Sequence, residues 1–566
     1  MYPNSILEET QFLEYKPFEG YEQMYNRFTA PEMENLAVDE ELPPLEDVNT
    51  TINIYCNQFD THQLSVHVHD LDNHDQTSFS VPEFDQLTKG ITNSKLKSKS
   101  AYPELSSPAS LELQSCYRSK FKSLPEAYIE KDVPEFGKNL SAVEIIKLAA
   151  EKFIKFSTQQ VNGYTMFTHP YGSSAFTSLS IDETREVELV YQLLTAAEKV
   201  GRKQFDIVSK FIARCGRVAC DSGSPVERLV FYFCEALQKR IGKEIGVHVA
   251  TKRERKVTLI GLKNENPMGL GTNMTFLAAY QALPFNQVLH FTGIQAIVDH
   301  IGTSKQVHLI DIHIRSGVQW TVMMQALADK SPQIKLLKLT AFATTLDAQK
   351  VGETGRRLES LATTLSLPFL FKIMVLSDIT EVETEQFEVR DGEAVAVYCH
   401  MILRTMIVTP RRFENMMRAI KMINPSIVVI AEVEANHTST SFVKRFTEGL
   451  FFYGAYFDCL EACMSQDNAH RAVVEGVHFS DGIENIVAAE GEERMSRSVD
   501  METWRLFFAR FGMVDIELSD SCLYQAQLVL QRFSCESSCM LENNGKCLIV
   551  GWKGTPLHSL STWKFI

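Results

Sequence analysis

Val307-His308-Leu309-Ile310-Asp311 is an apolar run that ends in a carboxylate, and Gly317, Gln319 and Trp320 follow it closely. The run has the length and the aliphatic content of a buried strand. In Rossmann-type folds a carboxylate at the end of such a strand can hold the ribose or the amino group of a cofactor. The stretch therefore predicts an α/β fold and raises the question of what Asp311 does.

Strand-like and helix-like segments alternate downstream of this run. Strands are predicted at Val307–Ile312, Ile334–Phe342, Pro368–Leu376, Val395–Cys399 and Ser426–Val433, and helices at Val318–Ala328, Glu353–Leu365 and Arg412–Met422. This alternation is typical of a mostly parallel sheet flanked by helices on both faces. Leu528–Cys535 and Lys546–Trp552 flank the turn signal Asn543-Asn544-Gly545, which predicts a terminal antiparallel pair. The predicted fold is a Rossmann-like, methyltransferase-like α/β fold.

Apolar residues upstream recur at helical spacing. Val187, Val190 and Leu194 form one such series, and the pattern breaks near Gly223–Pro225 before it resumes. The spacing predicts amphipathic helices that form an α-helical cap subdomain over about residues 141–250. The α/β core is then expected over about residues 251–566.

Residues 1–140 differ in composition from the rest of the chain. Prolines interrupt every long helical period, and only two basic residues, Lys16 and Arg27, occur in the first 50. We predict a variable, largely disordered acidic N-terminal tail. Its alternation of acidic and hydrophobic residues is typical of activation or docking segments, and the alternative is a solvated tail without a partner.

The overall composition limits the class of protein. The chain has 566 residues, 45% of them hydrophobic, so it can bury a large core. Its net charge of -15 disfavours autonomous, nonspecific DNA binding, because the average surface repels phosphate. No apolar run approaches the roughly 20 residues that span a bilayer. The twelve cysteines follow no small-domain disulfide framework, which predicts reduced thiols in an intracellular protein.

Several motifs in one order resemble the plant GRAS family of scarecrow-like transcriptional regulators. Val307–Asp311 resembles the VHIID motif, with Leu309 replacing the usual isoleucine. Residues near 186–245, which include Leu193 and Leu194, resemble the first leucine-rich region, and Thr354–Leu358 with Gly392–Cys399 resembles the segment before the second. The PFYRE motif is represented by Pro425, Phe452, Tyr453, Arg471 and Glu475, and the SAW region by Arg494, Arg497, Trp504, Trp552 and Trp563. The resemblance covers roughly residues 140–566.

The resemblance implies a nuclear transcriptional regulator or co-regulator. Its expected partners are DNA-binding transcription factors and other GRAS proteins, through homodimers or heterodimers, with indirect contact to DNA and none to membranes. It implies neither an enzyme nor a cofactor, a metal or a catalytic residue. The tail lacks a DELLA-type string, so hormone-triggered degradation through that motif is not implied. The Arg494–Arg497 stretch lacks the family's usual acidic residues, which predicts a thinner ion-pair cluster there.

Two other functions remain open from the residues. Asp311 at a cofactor edge would fit an S-adenosylmethionine-dependent small-molecule methyltransferase, but residues 312–317 contain one glycine, Gly317, and other side chains would block a nucleotide. The structural alternative is that Asp311 caps the next helix or pairs inside the fold, with Arg315 as a candidate partner. A direct sequence-specific DNA binder would need a local basic groove.

The remaining candidates are interpreted as structural or weak. We expect His308 to be a buried structural histidine and Trp504, Trp552 and Trp563 to fill core space. His67, His69 and His74 lack a zinc-site pattern. Cys459 with Cys463, and Cys535 with Cys539, are taken as incidental thiols because no second CxxC-type half completes either pair. Lys252–Lys256 is a candidate nuclear import signal or phosphate contact.

Overall fold

The computed structural model describes residues 140–159, 179–247, 270–329, 334–376, 382–464 and 469–566. The predictions for the acidic tail up to residue 139, for His67, His69 and His74, and for Lys252–Lys256 lie outside the described residues. Within the described ranges, no helix combines the length and the apolar character needed to cross a bilayer.

A mixed nine-stranded sheet organises the chain. Its strands are β1 Gln306–Asp311, β2 Leu336–Thr344, β3 Phe369–Leu376, β4 Ala394–His400, β5 Ile427–Val433, β6 Met513–Ile516, β7 Cys539–Asn544, β8 Cys547–Trp552 and β9 Thr555–Phe565. The order is β3-β2-β1-β4-β5-β9-β8-β7, and β6 pairs with β9. Strands β1 to β5 are parallel and β6 to β9 antiparallel. The prediction of a mostly parallel, Rossmann-like sheet is confirmed for its first five strands.

Helices surround this sheet and form a separate layer. They are α1 Ala142–Gln159, α2 Ile181–Gly201, α3 Phe205–Val218, α4 Pro225–Ile245, α5 Leu270–Ala282, α6 Pro284–Ile301, α7 Val318–Asp329, α8 Ala348–Thr364, α9 Leu403–Met406, α10 Pro410–Met422, α11 Phe442–Cys463, α12 Ala469–Val473, α13 Ser480–Val487, α14 Met501–Ala509 and α15 Asp520–Leu530. A π-helical turn, Val474–Phe479, joins α12 to α13.

Helix boundaries follow local capping chemistry. The Ser180 hydroxyl accepts a hydrogen bond from Glu183 N, and the Glu183 carboxylate accepts one from Ser180 N, which starts α2 with a capping box. Ser224 caps α4 with Pro225 as its first residue, and Gly246 ends it at φ 73°. The predicted break near Gly223–Pro225 is therefore the start of α4.

Successive residues of the central strands face different helices. Val428 and Ile430 on β5 belong to a core cluster with Phe413 of α10 and Trp504 of α14. Val429 points the other way, where its side chain would lie 3.1 Å from a Cβ at Gly293 of α6. Because side chains alternate along a strand, both faces of the sheet are covered.

The helical layer combines distant parts of the chain. Helix α11 packs against α1, α2 and α4, and α13 packs against α4. The approach of α1 to α11 is close, because a Cβ at Gly454 would lie 2.2 Å from Ile146 Cδ1. Residues 442–487 thus join a layer that begins with residues 142–245.

The prediction of a strand over Leu528–Cys535 was wrong. Ser519 accepts a hydrogen bond from Cys522 N and caps α15, which continues to Leu530. Cys522, Ala526 and Val529 are buried at helical spacing on this helix. The strand that pairs with β8 is β7, Cys539–Asn544, and Gly545 lies in the tight turn at φ 63°.

Candidate functional site

Asp311 ends β1 and is completely buried. One carboxylate oxygen accepts the backbone N–H of His313 at 2.9 Å. The other accepts Trp320 Nε1–H at 2.7 Å and Gln319 Nε2–H at 3.0 Å. Both partners lie in the first turn of α7, so the carboxylate ties the strand to the helix that follows it.

The environment of Asp311 is apolar despite these donors. Burial raises the pKa of Asp311 to about 6, while hydrogen bonds from His313, Trp320 and Gln319 oppose the rise. Arg315 contributes only through its charge. The predicted internal pairing is therefore made with Trp320 and Gln319.

The loop after β1 closes on α8. Gly317 has φ 69°, and a Cβ there would lie 2.8 Å from Thr354 Cγ2. Thr354 Oγ1 donates to the carbonyl of Arg315 at 3.0 Å. The glycine therefore permits contact with the helix, and the Thr354–Leu358 motif packs directly against the loop of the Val307–Asp311 motif.

Aromatic side chains fill the carboxyl edge of β1 and β4, where the strand order reverses and open α/β sheets bind ligands. Trp320 and Tyr398 meet edge to face with ring centroids 5.3 Å apart. His290 of α6 and His400 of β4 lie closer still, at 4.6 Å. Burial lowers the pKa of His290 to about 3 and also lowers that of His400, so both imidazoles are neutral.

The other residues of the Val307–Asp311 motif are part of the sheet interior. Val307, Leu309 and Ile310 are buried. His308 contacts Thr340 Oγ1 through Nε2 at 2.8 Å. The Glu393 carboxylate lies 3.2 Å from His308 Nδ1, outside hydrogen-bonding geometry. Burial, with Lys338 nearby, lowers the pKa of His308 to about 3, so the contact joins a neutral ring to the carboxylate.

The paired cluster, formed by Arg228, Arg471, Glu461 and Glu475, joins α4 to the end of α11 and the segment after it. Arg228 is fully buried, and its Nε donates to Glu475 at 2.9 Å. Its two terminal nitrogens donate to Glu461 at 2.9 Å and to the Gly223 carbonyl at 2.7 Å. Arg471 Nη1 also reaches Glu461, at 3.1 Å. Two arginines meet two glutamates, so the charges balance.

The arginine-excess cluster, formed by Arg240, Arg445, Arg494, Arg497 and Glu490, lies where α4, α11 and the start of the SAW region meet. Glu490 pairs with Arg240 Nη1 at 2.6 Å and with Arg445 Nη2. Arg494 is 3% exposed, and its Nε and Nη2 have no hydrogen-bond partner among the described residues. Burial and the nearby Arg445 and Arg497 lower the pKa of Arg494 to about 9. Charge is not balanced inside this cluster.

The remaining motif residues are interior. Leu193 and Leu194 are buried inside the helical layer. Phe452 and Tyr453 lie in α11, where Tyr453 Oη would be 1.9 Å from a Cβ at Gly482 of α13. Pro425 is buried just before β5.

The tryptophans of the C-terminal region are buried as core residues. Trp504 stacks on Phe508, which in turn meets Trp563. Trp552 Nε1 donates to Asp458 Oδ2 at 2.6 Å, and the other oxygen of Asp458 accepts Ala142 N at 2.8 Å. Asp458 therefore ties the start of α1 to β8.

Sequence reasoning did not predict the ion pairing of three residues that organise these clusters. Arg445 and Glu490 stand in no pattern that predicts ion pairing. Arg228 lies in the first turn of α4. The only sign in the sequence that it pairs with a buried acidic residue is that a basic side chain stands among apolar neighbours. Their roles depend on segments that meet only in the folded chain.

Comparison with known proteins decides the family. The GRAS domain family matches residues 189–564. The chain belongs to this family.

Individual relatives agree with this placement. The GRAS protein is 29% identical to DELLA protein GAI1 of Vitis vinifera over 67% of its own length and 62% of the relative's. It is 29% identical to DELLA protein RGL1 of Arabidopsis thaliana over 67% and 70% of the two chains. The matches thus span about two thirds of these curated relatives. The crystal structure of SCL7 in Oryza sativa superposes with TM-score 0.57 and 25% identity, covering 66% of this chain and 99% of that one.

Proposed function

We propose that this GRAS protein is a nuclear transcriptional co-regulator that acts by binding DNA-binding transcription factors and other GRAS proteins, without catalysing a reaction. Its contact with DNA is indirect and runs through those partners. The observation that carries the proposal is the hydrogen bonding of Asp311, whose two oxygens are both engaged by residues of its own loop and helix.

The geometry at Asp311 favours a protein-binding role and disfavours a cofactor site. A ribose or an amino group needs a carboxylate with free lone pairs and a backbone it can approach. Here Trp320 and Gln319 occupy the carboxylate, and Gly317 is packed against Thr354. A cofactor would have to displace a completely buried tryptophan.

The charge of the chain supports indirect DNA contact. A net charge of -15 weakens the attraction to phosphate on which DNA affinity depends. The buried arginines of the two clusters face glutamates or each other, so they add little to a DNA-facing surface.

Affinity purification of the full chain from plant nuclei tests the proposal. We expect transcription factors or other GRAS proteins to co-purify and to be lost in Ile207→Asp, whose side chain is 45% exposed on α3. Leu194→Asp is the matched control for folding, since Leu194 is buried and its charged variant should lose stability as well as partners. Purification as a solitary cytoplasmic monomer would overturn the proposal.

Two binding assays separate the other functions. Calorimetric titration with S-adenosylmethionine is expected to give no heat of binding. Micromolar binding that disappears in Asp311→Ala would favour a methyltransferase instead. A salt-dependent mobility shift of purified protein on DNA would favour a direct DNA binder.

A further inference from the structure

One side of helix α3 combines aliphatic and cationic side chains. The other side is buried, since Val208, Ile212 and Cys215 lie where the helix contacts α2 and α4. Side chains that are three, four or seven positions apart lie on the same side of a helix. Five exposed side chains follow this spacing on the outer side and together form the α3 surface: Ile207, Lys210, Arg214, Arg217 and Val218.

The members of the α3 surface are open to solvent. Ile207 is 45% exposed and Val218 is 38% exposed. The three cationic residues are exposed as well. Asp206 is the one acidic residue of α3, so cationic side chains outnumber anionic ones on this helix. The α3 surface therefore offers apolar area and positive charge side by side.

The positive charge of the α3 surface is not neutralised within the described parts of the chain. The two basic residues that directly precede the helix, Arg202 and Lys203, each lie 2.9 Å from a glutamate oxygen. The three cations of the α3 surface make no ion pair and no side-chain hydrogen bond to any described residue. The neighbouring Glu188 carboxylate of α2 accepts Lys152 at 2.6 Å and Gln192 at 2.9 Å, so its oxygens are already engaged. The charge is available to a ligand.

Helix α8 shows that this composition is not general at the surface of the molecule. The exposed side of α8 carries both signs of charge, with Glu353 and Glu359 beside Arg356 and Arg357. Every residue of α8 is described, and none of its large hydrophobic side chains is exposed. A helix side that only faces water has this mixed, polar composition. Exposed aliphatic groups among cations of one sign instead mark a surface that a ligand covers.

We propose that the α3 surface binds an acidic amphipathic segment of a partner protein, in which carboxylates alternate with apolar side chains. The inference rests on the proposed function, because it names the kind of segment through which a partner contacts this protein. Carboxylates of the segment pair with Lys210, Arg214 and Arg217, and an arginine can hold a carboxylate through two parallel hydrogen bonds. The apolar side chains of the segment cover Ile207 and Val218.

The aliphatic members of the α3 surface favour an acidic protein segment over a nucleic acid. DNA presents rows of phosphates, so binding to DNA would leave Ile207 and Val218 without an apolar partner. Three cations also release few counterions, against a net charge of -15 for the whole chain. An acidic amphipathic segment matches both the charge and the apolar area.

Fluorescence anisotropy of a labelled peptide titrated with the full chain tests the α3 surface. The probe is a synthetic peptide of aspartate, leucine and phenylalanine, with an apolar residue at every third or fourth position. We expect a dissociation constant of about 10 to 100 μM at low salt. Added salt should weaken binding, because it screens the carboxylates from the cations. A control peptide with serine in place of leucine and phenylalanine should bind about threefold more weakly or worse.

Variants at exposed positions separate the charge from the apolar contact. Arg214→Glu replaces an attraction with a repulsion and should weaken binding about fivefold. Ile207→Ser removes apolar contact and should weaken binding about threefold. Arg418→Glu is the matched control, since it makes the same change of charge at a side chain that is 68% exposed on α10. It should change the affinity by less than about twofold. Circular dichroism checks that each variant is folded.

Three results would overturn the inference. The peptide could show no binding at about 0.3 mM protein. Arg214→Glu and Arg418→Glu could weaken binding equally, which would mean that the peptide responds to overall charge. A DNA duplex could displace the peptide from the wild-type chain, which would make the α3 surface a nucleic-acid site.

Affinity purification from plant nuclei distinguishes a failure of this inference from a failure of the proposed function. If transcription factors co-purify equally with the wild type and with Arg214→Glu, the α3 surface is not their site and the proposed function stands. If the peptide binds as expected but no transcription factor co-purifies, the proposed function fails and the α3 surface stands.

Discussion

The paired cluster and the arginine-excess cluster both join α4 to later segments, but only one of them balances its charges. Arg228 gives every nitrogen a partner, with Glu475 itself 1% exposed. Arg494 is nearly as buried, yet two of its nitrogens lack partners in the described chain, and Glu490, which is 50% exposed, serves Arg240 and Arg445. The same residue type at similar depth therefore has opposite energetic roles.

The difference teaches how buried charge acts at this joint. A buried ion is tolerated when its ion pairs offset the free energy of desolvation, and it destabilises the fold when they do not. The paired cluster specifies the position of α12 relative to α4. The arginine-excess cluster keeps part of its desolvation cost, because no acidic residue directly follows Arg494 to neutralise the charge.

The largest expected effect is on the paired cluster. Glu475→Gln leaves the buried Arg228 without its main counter-charge, so the free energy of unfolding should fall by about 3 to 5 kcal/mol. Urea unfolding followed by circular dichroism measures the change. Adding Arg228→Met to this variant should recover part of the loss, and a single-variant loss below about 1 kcal/mol would show that the pairing is not what holds the joint.

The opposite sign is expected at Arg494. Arg494→Met removes an under-neutralised charge and keeps most of the apolar volume, so it should raise the free energy of unfolding by about 1 to 2 kcal/mol. The identical substitution at Arg228 is the matched control and should be destabilising. If both substitutions destabilise equally, the contrast between the clusters fails.

Alkaline pH should weaken the contrast between the two clusters. Burial lowers the pKa of Arg494 to about 9, whereas in the unfolded chain it keeps its ordinary value of 12.5. Between these values the unfolded state binds the extra proton, so the stability of the wild type rises with pH. The advantage of Arg494→Met should be constant below pH 9 and should shrink above it. Parallel unfolding curves at several pH values check this, and an advantage that grows above pH 9 would refute it.

The smallest effect is expected at an exposed pair beside the arginine-excess cluster. Lys243 Nζ lies 2.7 Å from Glu493, as close as the buried pairs, but the two side chains are 46% and 59% exposed. Lys243→Ala should change the free energy of unfolding by less than about 0.5 kcal/mol, because solvent screens the pair. A loss comparable to that of Glu475→Gln would mean that distance, not burial, sets the energy.

Most of the sheet was predictable from the sequence because its signals are local. Five parallel strands appear close to where apolar runs predict them, and Ser224 with Pro225 places the start of α4. The order of motifs also indicated the family. Of the terminal hairpin, the strand at Lys546–Trp552 was predicted and its partner was not. The apolar content of Leu528–Leu530 fits a strand and a helix equally well.

The sequence by itself determined the fold class, the family and the position of Asp311 at the end of its strand. Tertiary structure alone decided that Arg228 meets Glu475, which is 247 residues away, and that Trp552 meets Asp458. Periodicity and capping act over a few residues and leave a readable pattern. Contacts between distant segments depend on how whole helices pack, and no short stretch of sequence encodes that packing.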